Sequence, residues 1–433
     1  MISRPFIHVA HPLRIQGGVI EANLPETYIG EVCKIQRSLT NSEIIGLAQV
    51  IGFNRQCTQL SLLSDNRGLS RNILLVPTGQ PFKININDNI AGSILDSEGK
   101  VCGRLTGDDS ERFKHFSSKE FAINGIPKDF TQRRSVSTPL DTGIRTIDAL
   151  LTCGRGQRVG VFASAGCGKT SLMHMLIEHA EADIFVIGII GERSREVTEF
   201  VDTLKKSTHK DRVVLVYSTS DRSCVERYNA AHIATAVAEY FSERGKNVLL
   251  FMDSITRYAR ALRDIALSMG EVPARKGYPA SVFEDLPKLL ERPGNFLKGS
   301  VTAFYTVLLE NEDEPDAIGD EVKSILDGHI YLSQRLASKG HFPAIDVLKS
   351  TSRVFQQVTE LKQQEAASAF RELLSRQSEL QLYIDLGEYK RGENKQNDIA
   401  LDKQKDMEDF MRQPMSEMTK ISTCLNMLYE VVA

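Results

Sequence analysis

Between an apolar run, "QRVGVF" (157–162), and a helix-like stretch, "SLMHMLIEHA" (171–180), stands "ASAGCGKT" (163–170). No other segment restricts the fold as strongly, because it meets the phosphate-loop pattern G-x-x-x-x-G-K-[ST] at every fixed position but the first. Each position answers a different physical demand. Gly168 lets backbone N–H groups come close to a phosphate, and Gly166 eases the tight curve. Lys169 supplies a point charge for β- and γ-phosphates, and Thr170 a hydroxyl for Mg²⁺. Ala163 stands where the pattern has glycine, but that position only begins the turn, and one methyl is tolerable while φ stays negative. A loop placed after a strand and before a helix, whose N-terminus favours anions, reads as a nucleotide site. The cradle then comprises Ala165, Gly166, Cys167, Gly168, Lys169, Thr170 and Ser171, with Cys167 as a small filler and not a redox switch.

Around the loop, residues 76–355 alternate solidly apolar runs with amphipathic ones. "DIFVIGII", "DRVVLVYS" and "NVLLFMD" are the runs, and "NAAHIATAVAEYFSERG" is a typical partner. This alternation predicts an α/β fold with a parallel sheet covered on both faces. Two such strands finish in carboxylates. Asp253 closes "NVLLFMD", where a Walker-B residue holds magnesium. Glu192 follows "DIFVIGII" at the equivalent place, and parallel strands bring both to one rim, where Glu192 orients the attacking water. A strand-end carboxylate that merely caps the next helix is the competing reading for each.

At 433 residues the chain exceeds one hydrophobic core. Before the middle region, residues 1–75 carry short alternating runs ("GGVIEANL", "GEVCKI", "IIGLAQVIGF", "TQLSLL"), which predict a small β-barrel or sandwich with a packing or oligomer-edge role. After it, residues 356–433 carry apolar residues at helical spacing. Residues 118–139 read as a surface connection to the phosphate-loop strand. The formal charge of −3 implies no pull toward nucleic acid or anionic lipid. The longest apolar run, about eight residues, is far short of a membrane span. The first residues lack the apolar core of a secretory signal, so the expectation is a cytosolic chain. Seven dispersed cysteines without a C-x-x-C pair fit reduced thiols.

"GERSREVTEFVDTL" (191–204), "DSITRYARALRD" (253–264) and "TPLDTGIRTIDALLTCGRGQRVGVFASAGCGKT" (138–170) resemble the rotary-type hexameric ATPases. So do "GYPASVFEDLPKLLERPG" (277–294), "GSVTAFYTVLLE" (299–310), "ILDGHIYLSQRLASKGHFPAIDVLKSTSRVF" (325–355) and "LGEYKRGEN" (386–394). That group includes ATP synthase catalytic subunits, flagellar export ATPases and type III secretion ATPases. The chain is most similar to the last of these, in the invasion-associated subclass, which shares "FASAGCGKT" with alanine in first place.

The resemblance implies a RecA-like nucleotide domain between a β-barrel and a helical domain. It also implies ATP as substrate with Mg²⁺, Lys169 and Thr170 on phosphate and metal, Glu192 polarising water, and Asp253 as the Walker-B carboxylate. Arg193 would help hold phosphate or a neighbouring carboxylate, and Arg353 in "STSRVF" matches an arginine finger reaching the next subunit's site. Phe342 in "GHFPAID" corresponds to an aromatic flanking adenine, and Tyr389 is a candidate second contact. The implied partners are five further copies of the chain, a central stalk, a peripheral stator or regulator, chaperone–effector complexes and an export gate. The place is the cytoplasmic side of a Gram-negative inner membrane, with peripheral attachment through partners.

Two departures from the family pattern stand out. Ser194 replaces a glycine, which bears on loop flexibility beside Glu192, and "AGSILDSEGK" (91–100) lacks the usual Leu-Gly-Arg. The basic loop "GEVPARKGYPASVF" (270–283), with Arg275 and Lys276, corresponds to one that faces the channel and meets the stalk. The closest alternative is a flagellar export ATPase. A non-catalytic ring subunit is disfavoured by Glu192, and a nucleic-acid translocase by the near-neutral charge and the lack of an aromatic–basic module.

Overall fold

The runs Ile184–Glu192 and Ser300–Leu308 have no outward polar face, so a strand built from them must be covered on both sides. The computed structural model describes residues 8–16, 18–38, 43–54, 57–63, 69–106, 119–310, 316–392 and 394–433, and it places both runs inside a ten-stranded sheet. In order across that sheet lie Ile345–Ser352, Gly328–Leu332, Arg158–Ala163, Ser300–Leu308, Asn247–Asp253, Ile184–Glu192, Val213–Thr219, Ser93–Leu95 and Val101–Arg104. Gly294–Asn295 adds a short antiparallel pair to Ser300–Leu308. Pairing is parallel through the middle and antiparallel at both margins, Ile345–Ser352 and Val101–Arg104.

Alternate residues of one strand feed opposite cores. Val186 and Ile190 join the helices Cys224–Glu243, Ile255–Ser268 and Ala280–Leu290. Phe185, Ile187 and Ile189 join Arg145–Leu150, Lys169–His179 and Ser194–Leu204 on the other face. The long helix Cys224–Glu243 starts in a reciprocal cap: Ser223 Oγ accepts from Glu226 N–H and Glu226 from Ser223 N–H.

The N-terminal strands form a six-stranded antiparallel sheet in the order Pro12–Gln16, Val19–Ala22, Cys57–Leu62, Ile44–Asn54, Glu31–Gln36 and Leu74–Pro81. Ala10 and Leu75 exchange backbone hydrogen bonds at 3.2 and 2.9 Å, which closes it into a barrel around Ile20, Cys33, Leu60 and Leu75. The last strand runs past residue 75 through Pro77 and Pro81, which lie beyond the bridge to Ala10, where the strand pairs with Glu31–Gln36 on one side. The connection 118–139 is not a plain surface segment where it is described. Lys119–Ala122 pairs with Lys83–Ile86, and Ile123 is fully buried with its carbonyl bound by Arg292 at 2.7 Å.

The C-terminal helices Leu361–Asp385, Lys395–Asp402, Gln404–Met411 and Ile421–Val432 do not stand apart from the α/β unit. Phe370, Phe410 and Leu428 share a core with Ile147 and Leu176. Buried polar bonds lock the seam: Gln363 donates to Asp148 and Ala149 carbonyls, and Arg145 N–H donates to Gln413 at 2.8 Å. Among the described residues no helix is long and apolar enough to cross a membrane, and no disulfide forms.

Candidate active site

The strand Arg158–Ala163 ends with Ala163 fully buried and paired to Leu308 and Leu332. Ala163 stays out of the left-handed region, the condition under which its methyl is harmless. The two glycines that follow are left-handed, Gly166 at φ 80° and Gly168 at φ 84°. Gly168 opens the helix Lys169–His179, and a Cβ there would meet the Phe342 ring at 3.0 Å. Cys167 packs inward, while Ala165, Gly166 and Thr170 are exposed, so the loop presents its outer edge and the helix N-terminus to an incoming anion.

Asp253 ends its strand with Thr306 Oγ1 donating to Oδ1 at 2.7 Å, and Lys169 Nζ donates to the same oxygen at 2.7 Å. Glu192 reaches this group through a bulge. Gly191 is left-handed at φ 72°, and the pairing register with Val213–Thr219 shifts between Ile190 and Glu192. Glu192 is 8% exposed, with Oε1 3.8 Å from Lys169 Nζ and Oε2 3.7 Å from Arg257 Nη2. Its Oε1 has no hydrogen-bond partner among the described residues. Burial and the neighbouring Asp253 charge push the Glu192 carboxyl above its ordinary range, against the pull of Lys169 and Arg257.

Lys169, Thr170, Glu192 and Asp253 line one cavity of about 380 Å³. Hydroxyl and carboxylate oxygens beside a phosphate loop are the donors Mg²⁺ takes, with substrate phosphates completing its shell. The orphaned Oε1 leaves acceptor capacity for a water. The arrangement fits metal-assisted attack of water on a phosphoryl group.

The remaining sequence-derived residues fall into three places. Arg193 lies beside the cavity with its side chain 80% exposed, paired with Glu196 at 3.6 Å. Phe342, with Ser171, Leu172, Met175 and Pro414, lines an apolar groove of about 530 Å³ next to the loop. Tyr389 does not reach that groove. Its hydroxyl is committed to Asp398 at 2.6 Å in the turn after Leu361–Asp385, and Arg412, Gln413, Pro414 and Met415 form the far wall instead.

Arg353 is at the opposite end of the sheet. It follows Ser352, which pairs with Gly328, itself opposite Val159 at the start of the phosphate-loop strand. Five residue steps separate Arg158 from Ala163, about 17 Å of strand. Within one chain Arg353 therefore does not meet Lys169. Sequence reasoning assigned no role to Arg257 or Thr306, although both lie in the quoted motifs; their signal is register with Glu192 and Asp253 on neighbouring elements.

Residues 143–352 match the nucleotide-binding domain of the ATP synthase alpha/beta family, and residues 359–430 match the C-terminal domain of type III secretion EscN ATPases. The chain is 54% identical to the SPI-1 type 3 secretion system ATPase of Salmonella typhi over 97% of this chain and 96% of that one. The chain belongs to the type III secretion system ATPase family. It is an ATPase by family. Among solved structures, assembled EscN from enteropathogenic E. coli matches with TM-score 0.89 and 40% identity over 98% of this chain and 100% of that chain. EscN in complex with its central stalk EscO matches at 0.87, with 40% identity and the same coverages. Ser194, where this ATPase departs from the common glycine, is the first residue of helix Ser194–Leu204 and needs no left-handed backbone.

Proposed function

We propose that this ATPase is the homohexameric MgATP-hydrolysing motor of a type III secretion apparatus. It couples hydrolysis to chaperone release, unfolding and export of effector proteins. The observation that carries the ring is the separation of the acid-bearing rim from Arg353: one chain holds both halves of a complete site and cannot join them. Heterologous contacts around a closed ring join every half to its complement. Assembled EscN and its complex with a stalk support the same reading.

In this reading Lys169 leaves Asp253 for the substrate phosphates; Thr170 and Asp253 would hold Mg²⁺, which would supply charge neutralisation at the phosphates. Glu192 accepts hydrogen-bonding from the attacking water and orients it. Arg353 of one subunit stabilises charge on the γ-phosphoryl oxygens in the next, a contribution of roughly 10³–10⁵ in rate. Phe342 flanks the base in the apolar groove, and Arg193 turns inward to phosphate or a neighbouring carboxylate. The barrel region (1–75) supports the ring, residues 76–355 hydrolyse, and the helices (356–433) dock chaperone complexes and the stator. The loop 270–283, closed by the left-handed Lys276 and Gly277, meets the central stalk. The ring works on the cytoplasmic side of the inner membrane, beside the export gate, and touches the membrane only through partners.

The test is turnover against protein concentration, with Lys169→Ala and Arg353→Ala assayed alone and mixed. Specific activity rising with concentration, two inactive variants and an active mixture are the expected results. Dilution-independent activity, or full turnover by Arg353→Ala, overturns the shared site.

A further inference from the structure

The finger rim contains a second, half-buried arrangement that the reaction as described does not use. Arg158 forks onto Asp327, with Nε donating to Oδ2 at 2.9 Å and Nη2 to Oδ1 at 3.0 Å, while the Arg158 backbone N–H adds a third bond to Oδ2 at 3.2 Å. Arg158 Nη1 pairs with Glu291. Fully buried Gln157 donates through Nε2 to the Asp327 carbonyl at 3.0 Å and to Ser352 Oγ at 3.1 Å. That same Asp327 carbonyl accepts the backbone N–H of Arg353 at 2.9 Å.

Nothing comparable holds the Arg353 side chain. Its guanidinium is exposed and donates from Nη2 to the Lys323 carbonyl at 3.2 Å. It borders an open groove of about 380 Å³ lined also by Arg133, Arg134, Arg158 and Asp327. The direction of such a side chain is set by its backbone, and its backbone is set by Asp327. A bidentate arginine–carboxylate fork fixes geometry more tightly than a point charge does.

We infer that Gln157, Arg158 and Asp327 form a positioning unit that aims Arg353 at the neighbouring subunit's γ-phosphate. The inference rests on the shared-site reading above and adds the residues on which the finger's precision depends. Arg158 begins the strand that ends in the phosphate loop, so a defect there could act on the chain's own site or on its neighbour's. These alternatives are separable.

Arg158→Gln and Asp327→Asn are each prepared as full-length chains and assayed alone, with Lys169→Ala, and with Arg353→Ala. Loss of positioning costs roughly 10–100-fold in kcat, with KM for MgATP and oligomer size unchanged. Mixing with Lys169→Ala, which brings an intact finger, restores turnover; mixing with Arg353→Ala does not. Arg158→Lys, which keeps charge without the fork, falls between Arg158→Gln and wild type.

Restoration by Arg353→Ala, or by neither partner, overturns the inference, as does wild-type turnover in both variants. The Lys169→Ala and Arg353→Ala mixture is the control that separates the two failures. If it stays inactive the shared site itself falls; if it recovers while Arg158→Gln groups with Lys169→Ala, only the positioning unit falls. If Arg158→Gln does not fold, Asp327→Asn decides by the same mixtures, since it removes the carboxylate charge and leaves the backbone carbonyl in place.

Discussion

The two ends of the strand Arg158–Ala163 are built to opposite rules. At the Arg158 end, Asp327 takes two guanidinium bonds and Gln157 uses both ends of its amide. At the Ala163 end, two carboxylates share one lysine, Glu192 Oε1 lacks a hydrogen bond among the described residues, and Gly166 and Gly168 hold left-handed backbone. Buried polar groups are ordinarily satisfied, so an unsatisfied set points to a substrate that completes it. At the Arg158 end only Nη1 of the guanidinium lacks a hydrogen bond, and it is ion-paired with Glu291, so that end is built to anchor, whereas the open carboxylate oxygen of Glu192 faces the cavity.

Arg353→Ala breaks the comparison most severely if the anchored end serves chemistry. Turnover should fall roughly 10³–10⁵-fold, while the thermal midpoint stays within error, because the exposed side chain makes one bond to a carbonyl. Stopped-assay phosphate release and a melting curve check both. A lowered midpoint with modest kinetic loss would make Arg353 a structural residue.

Glu192→Gln should cost about 10²–10⁴ in turnover, the usual contribution of a positioned base, yet it should not destabilise. Glu192 is buried and its carboxyl is raised in pKa, so the charged form is already held at a cost. The sign follows from linkage: a carboxyl raised on folding binds more protons folded than unfolded, so its contribution to stability declines as pH rises through the raised pKa. The variant's stability advantage should therefore show at neutral pH and vanish below the ordinary glutamate value of about 4.3. A variant that melts lower than wild type at pH 7 would place Glu192 with the satisfied groups.

The same shift predicts the pH–rate profile. The acidic limb of kcat/KM should lie above the ordinary carboxylate range and climb with pH as Glu192 of the free enzyme ionises, and it should be missing from the residual rate of Glu192→Gln. Phe342→Ala should leave kcat nearly intact and weaken nucleotide binding roughly tenfold, since stacking on an aromatic ring is worth about 1–3 kcal/mol per base. The measurement is KM for MgATP beside titration with a fluorescent nucleotide. An unchanged KM would assign the groove to something other than the base.

That Lys169, Asp253 and Glu192 share one cavity was legible because each obeys local rules. Lys169, Asp253 and Glu192 each stand at a strand end or loop, where short patterns reveal them. The anchored end is a product of register: nothing within ten residues of Asp327 announces that Arg158 forks onto it. Arg353 was visible only through the family resemblance, since an exposed arginine after a strand has no chemical signature. Tyr389 likewise came from the resemblance alone, and nothing in the sequence signals that Asp398 accepts its hydroxyl. The wall at Arg412–Met415 depends on a chain segment some seventy residues after Phe342 folding back over the loop. The boundary drawn at 75 falls inside the barrel's last strand, which runs from Leu74 to Pro81 through Pro77 and Gly79.

Ala163→Gly gives the smallest effect and the sharpest line between the two ends. It restores the common phosphate-loop pattern, and if the pattern's first glycine served the cradle, turnover should improve. The geometry argues otherwise. Ala163 belongs to the strand: it is fully buried, paired on both sides, and its carbonyl accepts Leu309 N–H at 3.0 Å. The left-handed curvature starts only at Gly166. Glycine in that strand adds backbone freedom to the unfolded chain and removes a packed methyl, a loss of roughly 0.5–1 kcal/mol. The expected result is a slightly lower midpoint in chemical denaturation with no gain in kcat. A several-fold gain would mean that the reactive end begins one turn earlier, inside the sheet, and that the ordered strand is itself part of the loop that moves.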